Sequence, residues 1–177
     1  SSAEETKAAA DIETVTPGKL TVATSPDFAP YEFYAIGEDG TPKLAGFDMD
    51  LAQYIADYLG LELEVVTVDF DGVISELQTK SVDLGMAGLS PDEKRMGIMD
   101  FSDLYYMGGQ SLVTVKDNAE KYNSFEAINK PDVSVGAQVG SIQMDLANEN
   151  SPEADIVGLP KVTDIISELL TGKMDAA

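Results

Sequence analysis

One cycle recurs along this chain: a short apolar strand candidate, a loop of small or polar residues, and an amphipathic helix with a turn residue at its end. Such an alternation buries both kinds of element by laying helices on the faces of a largely parallel sheet, joined by right-handed crossovers. The first strand is expected at 20–24. Residues 25–30 read as a loop, because Pro26 and Pro30 cannot donate to a strand ladder. Asp39-Gly40 marks a turn. Met49, Ala52, Ile55, Ala56 and Leu59 share one face of a helix predicted over 48–59, with an acid in its first turn and Gly60 at its end. The β-branched run 61–68 reads as a strand. The cycle then repeats: a helix over 71–79 with Val73, Ile74 and Leu77 facing inward, a strand at 84–87, and a short helix over 91–98 opened by Pro91.

A second series follows Gly108-Gly109. A strand or crossover is expected at 110–115, helices at 124–128, 141–148 and 162–171, strands at 133–137 and 154–159, and the start of another strand at Met174. The two series share an alternation of elements and no close sequence repeat. The predicted organisation is a flexible leader (1–18), a first α/β lobe (19–108), a crossover hinge (109–114) and part of a second α/β lobe (115–177). A leader of this kind suits a secreted or lipid-tethered protein, although a frayed terminus has the same composition.

Charge narrows the function classes. The chain carries 32 acids against 11 bases, a formal net charge of -21, with the acids dispersed among apolar periods. Such a surface repels nucleic acid and anionic membrane. There is no cysteine and no histidine, which removes disulfides, thiol catalysis and the usual zinc ligands, and no cofactor or metal is expected. No apolar run approaches the length of a membrane span.

The chemistry concentrates at 84–95, which reads L-G-M-A-G-L-S-P-D-E-K-R. Here a strand end, small residues and a helix start bring backbone N–H groups of 88–90, the Ser90 hydroxyl and the Arg95 guanidinium around one small anion. The two-pronged Arg95 fork matches a carboxylate, each charge-assisted bond being worth about 1.5–3 kcal/mol. The bland alternative is a solvated ion pair with Asp92 or Glu93. Phe28 and Phe70 occupy corresponding loops after the first and second strands, as two walls of a ligand sandwich or as core packing. At 136–143, G-A-Q-V-G-S-I-Q offers free amides near Ser141 and Ile142 to an anion, or an ordinary helix cap at Ser141. The dinucleotide and phosphate-loop fingerprints are missing.

From residue 20 onward the chain resembles the extracytoplasmic solute-binding proteins of polar amino-acid ABC importers. The resemblance is carried in order by F-A-P-Y-E-F at 28–33, G-F-D-M-D-L-A at 46–52, D-F-D-G-V-I at 69–74, L-S-P-D-E-K-R at 89–95, F-S-D at 101–103 with Tyr105 and Tyr106, and V-G at 135–136 through Gly140 and Ser141. It implies a periplasmic-binding-protein-like fold, two α/β lobes around a cleft, that holds a free amino acid outside the membrane, in the periplasm or lipid-anchored, and delivers it to an importer's membrane permease. By the same resemblance, Arg95 clamps the ligand carboxylate with help from Ser90. Gly88 offers its carbonyl to the ammonium group, Phe28 and Phe70 flank the ligand, and Ser141 and Ile142 supply donors from the second lobe. Ile142 stands where the family often has a hydroxyl residue, and Ser25 where some binders of cationic ligands carry an acid. The family pattern continues past Asp175-Ala176, so the second lobe is expected to be incomplete here and to favour a homodimer through its open edge. A sensing domain of a membrane receptor and, further off, a dehydratase-like enzyme are the alternatives.

Overall fold

The computed structural model describes residues 12–177, so most of the expected leader lies outside the described residues. The chain divides between Phe101 and Ser102 into two compact units. The expected crossover at 109–114 therefore falls within the second unit.

In the first unit, strand β1 (Lys19–Thr24) is central to a parallel sheet of order β5-β1-β6, with β5 at Glu62–Thr67 and β6 at Leu84–Gly85. The β1–β5 register runs from Lys19 opposite Glu62 to Thr24 opposite Thr67. The period-two alternation of β1 serves a helix on each face. Leu20 and Val22 pack with Ala52 and Ala56 of helix α1 (Phe47–Leu59). Ala23 packs with Phe70 and Val73 of helix α2 (Phe70–Gln78). The leader's last residues are tied down: Val15 N–H and Thr21 N–H donate to the two oxygens of Asp83, each at 2.8 Å.

A second, antiparallel sheet joins β2 (Asp27–Phe28), β3 (Glu32–Ile36) and β4 (Pro42–Ala45) in the order β2-β3-β4. This corrects the expectation of a plain loop over 25–30. Pro26 and Pro30 flank a two-residue strand instead of interrupting one, so neither removes a ladder donor. The β3–β4 turn does form at Asp39-Gly40, with Gly37 N–H to Thr41 O at 3.0 Å. Gly46 lets α1 start hard against this sheet: at φ 123°, a Cβ there would lie 2.3 Å from the Tyr31 carbonyl oxygen. The helix expected at 91–98 shrinks to α3 (Glu93–Met96), because the Asp92 side chain caps it through the Arg95 N–H and Gly97 follows its last residue.

The second unit pairs β7 (Ser134–Gln138) with β8 (Asp155–Leu159) in parallel. Ala176 bridges to Val135, also in parallel, where a further strand was expected to begin. Helices α4 (Phe125–Ile128), α5 (Ile142–Asn150) and α6 (Val162–Leu170) complete it. Two clusters form its core, one around Ile128, Val135, Ala147 and Ala176 and one around Ile165, Leu169 and Met174. Residues 110–115 form no regular strand, but Val113 and Ala177 exchange two backbone hydrogen bonds of 2.8 Å.

Candidate ligand-binding site

Within the first unit, the segments after the C-terminal ends of β1, β5 and β6 carry five of the expected residues, Phe28 beside Gly88 in one group and Phe70 and Ser90 around Arg95 in another. Gly88 adopts φ 59°, and a Cβ on it would meet the Phe28 ring at 3.2 Å. Conformation and the nearby ring therefore both favour glycine there. The Gly88 N–H donates to Asp48 Oδ2 at 2.8 Å, across 40 residues of sequence. Phe28 also stacks obliquely on Tyr31, with ring centroids 5.1 Å apart.

Arg95, the single arginine of the chain, is buried at 6% exposure. Its Nη1 donates to the Ser90 carbonyl at 2.8 Å. Its Nε lies 3.3 Å from Asp92 Oδ2, and Asp92 Oδ1 accepts the Arg95 N–H at 2.8 Å. The guanidinium carbon sits 5.6 Å from the centre of the buried Phe70 ring, a cation–π distance. Asp92 thus orients a fork that also lies over Phe70, with the guanidinium buried and the Asp92 carboxylate half-buried. A buried, pre-aimed guanidinium can take a planar anion without first ordering a long side chain.

In the second unit, Ser141 is a cap. Its hydroxyl donates to Gln138 O at 2.6 Å and accepts from Met144 N–H at 3.2 Å, and its own N–H also points at Gln138 O. Both Ser141 donors are therefore spent on one carbonyl. Ile142 opens α5 and has no intrahelical acceptor for its N–H. A separate apolar cavity of about 520 Å³ lies between 110–112, α4 and α5, lined by Leu112, Phe125, Val135, Leu146 and Ala147 among others.

Sequence reasoning missed the carboxyl groups behind the first-unit loops. Asp48 and Glu32 are each 1% exposed. Burial, then the neighbouring Asp48 carboxyl, pushes the Glu32 pKa up to about 10. The available signal was a glutamate opening the strand run at 32–36, where an inward-facing position is usually apolar. Among the described residues, no group of three or more acidic, histidine or cysteine side chains could hold a metal ion, and no helix is long and apolar enough to cross a membrane.

Residues 20–139 match the bacterial extracellular solute-binding proteins, family 3. The arginine-binding extracellular protein ArtP of Bacillus subtilis is 35% identical over 90% of this chain and 60% of its own length. Cyclohexadienyl dehydratase of Pseudomonas aeruginosa is 30% identical over 89% of this chain and 58% of its own length. The crystal structure of an amino acid ABC transporter substrate-binding protein from Streptococcus pneumoniae, bound to L-arginine, superposes with a TM-score of 0.85 at 39% identity, covering 90% of this chain and 65% of that one. The chain spans about 60% of the length of the curated relatives it matches. Its two units have the α/β fold of periplasmic binding proteins, and the ordered motifs and overall likeness make the chain a member of the bacterial extracellular solute-binding proteins, family 3.

Proposed function

We propose that this chain captures a free amino acid outside the membrane and delivers it to the permease of an ABC importer. The observation that carries the reading is Arg95, buried and aimed by Asp92, Ser90 and Phe70 at the loop ends of the sheet. In this reading Arg95 receives the ligand carboxylate, Ser90 adds a hydroxyl donor, and Phe28 and Phe70 flank the ligand. Gly88 offers its carbonyl to the ammonium group. From the second lobe Ile142 supplies its amide, and Ser141 acts by holding the start of α5. The stretch at 109–114, which lies within the second unit, is read as the crossover leading into the second lobe. The relatives named for binding arginine and for ABC transport support the ligand class and the partner.

Capture needs no bond chemistry. A ligand favours the closed form only through the better contacts it makes there. Titration calorimetry of this chain against the common amino acids, L-arginine first, is expected to give heat with at least one. Silence with all of them overturns the reading. The dehydratase relative makes turnover the rival outcome, and NMR of the mixture over hours detects it as a product signal. The apolar cavity of the second unit supports self-association of this chain. Light scattering coupled to gel filtration is expected to report a dimer, and a monomer at high concentration removes that part.

A further inference from the structure

Behind the Gly88 turn lies a pair of buried acids that the ligand-capture reading does not use. Glu32 opens β3 directly opposite Phe28 of β2. Asp48 lies in the first turn of α1, and its N–H donates to the Tyr31 carbonyl at 2.9 Å. The helix start is therefore stitched to the residue beside Glu32. Both carboxyl groups are 1% exposed. Neither Glu32 oxygen meets a hydrogen-bond donor of another residue. The charged groups that act on it are Asp48 from α1 and Asp27 from β2, both acids. Burial this deep disfavours ionising both of two adjoining carboxyl groups, and a hydrogen bond between them needs a proton on one. Asp48 is the better seat for the charge, since it accepts the Gly88 N–H and sits at a helix N-terminus. Glu32 has neither advantage.

We propose that Glu32 is a positioning residue: carrying the proton, it donates to Asp48, and the Asp48 carboxylate in turn holds the Gly88 N–H and fixes that turn against the Phe28 ring. The chain of contacts runs from the antiparallel sheet through α1 to the loop after β6, so one proton locks three separate elements together. Burial of Glu32 holds that proton well above the ordinary glutamate range. The consequence for affinity rests on the ligand-capture reading, while the carboxyl pair does not.

The test begins with the unsubstituted chain. With 13C-labelled glutamate, the Glu32 carboxyl carbon is expected to keep its protonated shift from pH 5 to 9. Titration in the ordinary glutamate range, at about pH 4–5, overturns the proposal. Glu32→Gln retains a donor and is expected to keep the exchange protection of the Gly88 amide and to bind L-arginine within about twofold of the unsubstituted chain. Glu32→Leu removes the donor and is expected to lose at least tenfold in Gly88 protection and fivefold in L-arginine affinity. Gly88 protection unchanged in Glu32→Leu, or lost equally in Glu32→Gln, overturns it. Should Glu32→Leu fail to fold, the titration and the Glu32→Gln result decide alone. Failure of the unsubstituted chain to bind any amino acid sinks the capture reading and leaves the carboxyl and amide readouts intact.

Discussion

The two units use the same device at the same place and finish it differently. In the first, Asp83 N–H donates to Thr21 O at 2.9 Å while Thr21 N–H donates back to the Asp83 carboxylate at 2.8 Å. In the second, Asp175 N–H donates to Ser134 O at 3.1 Å while Ser134 N–H donates back to the Asp175 carboxylate at 2.9 Å. Asp83 stands just before β6 and Asp175 just before the Ala176 bridge, so each clamp sits where a segment joins the sheet. The loops they serve differ. Gly88 in the first unit is held by Asp48, 40 residues away. The start of α5 in the second is held by Ser141 and Gln138, three residues apart. The first unit's loop is thus held by a tertiary contact and the second unit's helix start by local capping. Substitutions should propagate across the first unit and stay local in the second.

The largest effect is expected at Arg95. Losing a two-pronged, charge-assisted contact of about 1.5–3 kcal/mol per bond predicts a drop in amino-acid affinity of more than about 100-fold for Arg95→Met. Calorimetry checks it, and an affinity within tenfold of the unsubstituted chain would remove the first unit's claim to the ligand. Next come the clamps. Asp175 accepts from Ser134 N–H, Ser134 Oγ and Tyr122 Oη, while Asp83 accepts from Val15 N–H and Thr21 N–H. Urea unfolding is expected to show Asp175→Ala costing about 3 kcal/mol and Asp83→Ala about 2 kcal/mol. The reverse order would show that the number of donors does not set the strength of a clamp.

Glu32 supplies a pH signature in the first unit. Its folded-state pKa, about 10, stands above the unfolded value of roughly 4.3. The folded chain therefore holds a proton that the unfolded chain releases. The contribution is fully present below about pH 4.3 and is lost progressively as pH rises to about 10, with a slope of at most about 1.4 kcal/mol per pH unit. Denaturation from pH 5 to 9 should show stability falling faster for the unsubstituted chain than for Glu32→Gln. Parallel curves would erase this signature. Ser141→Ala is expected to cost about 1 kcal/mol through its lost cap and to leave the Gly88 amide signal unmoved. A shift at Gly88 would break the local-versus-distant contrast. At the bottom of the scale, Lys19→Ala deletes the exposed ion pair with Glu64 and should leave the unfolding midpoint unchanged within error.

Much of the fold was legible. The apolar periods at 48–59 and 162–171, the β-branched run at 61–68 and the strand at 133–137 each announced an element, because helix and strand periodicities are local properties. The β2-β3-β4 sheet was not, since Pro26 and Pro30 argued against pairing, and a two-residue strand depends on the partner that receives it. In the candidate site the residue types were readable at Phe28, Phe70, Gly88, Ser90 and Arg95. Their surroundings were not. Beside Asp92 and Glu93, Arg95 looks like half of a solvated ion pair until Phe70 is seen beneath it. Ser141 reads as a donor to a ligand until its hydroxyl is found on Gln138.

By itself the sequence determined the alternation of strand and helix, the parallel character of the main sheets, the cap at Ser141, and a chemistry without thiol or imidazole, because each depends on near neighbours or on composition. Only the tertiary structure decided which charges are buried. The Glu32–Asp48 pair, the Asp48 hold on Gly88 and the burial of Arg95 arise between residues far apart in the chain, where exclusion of water sets the strength of every contact.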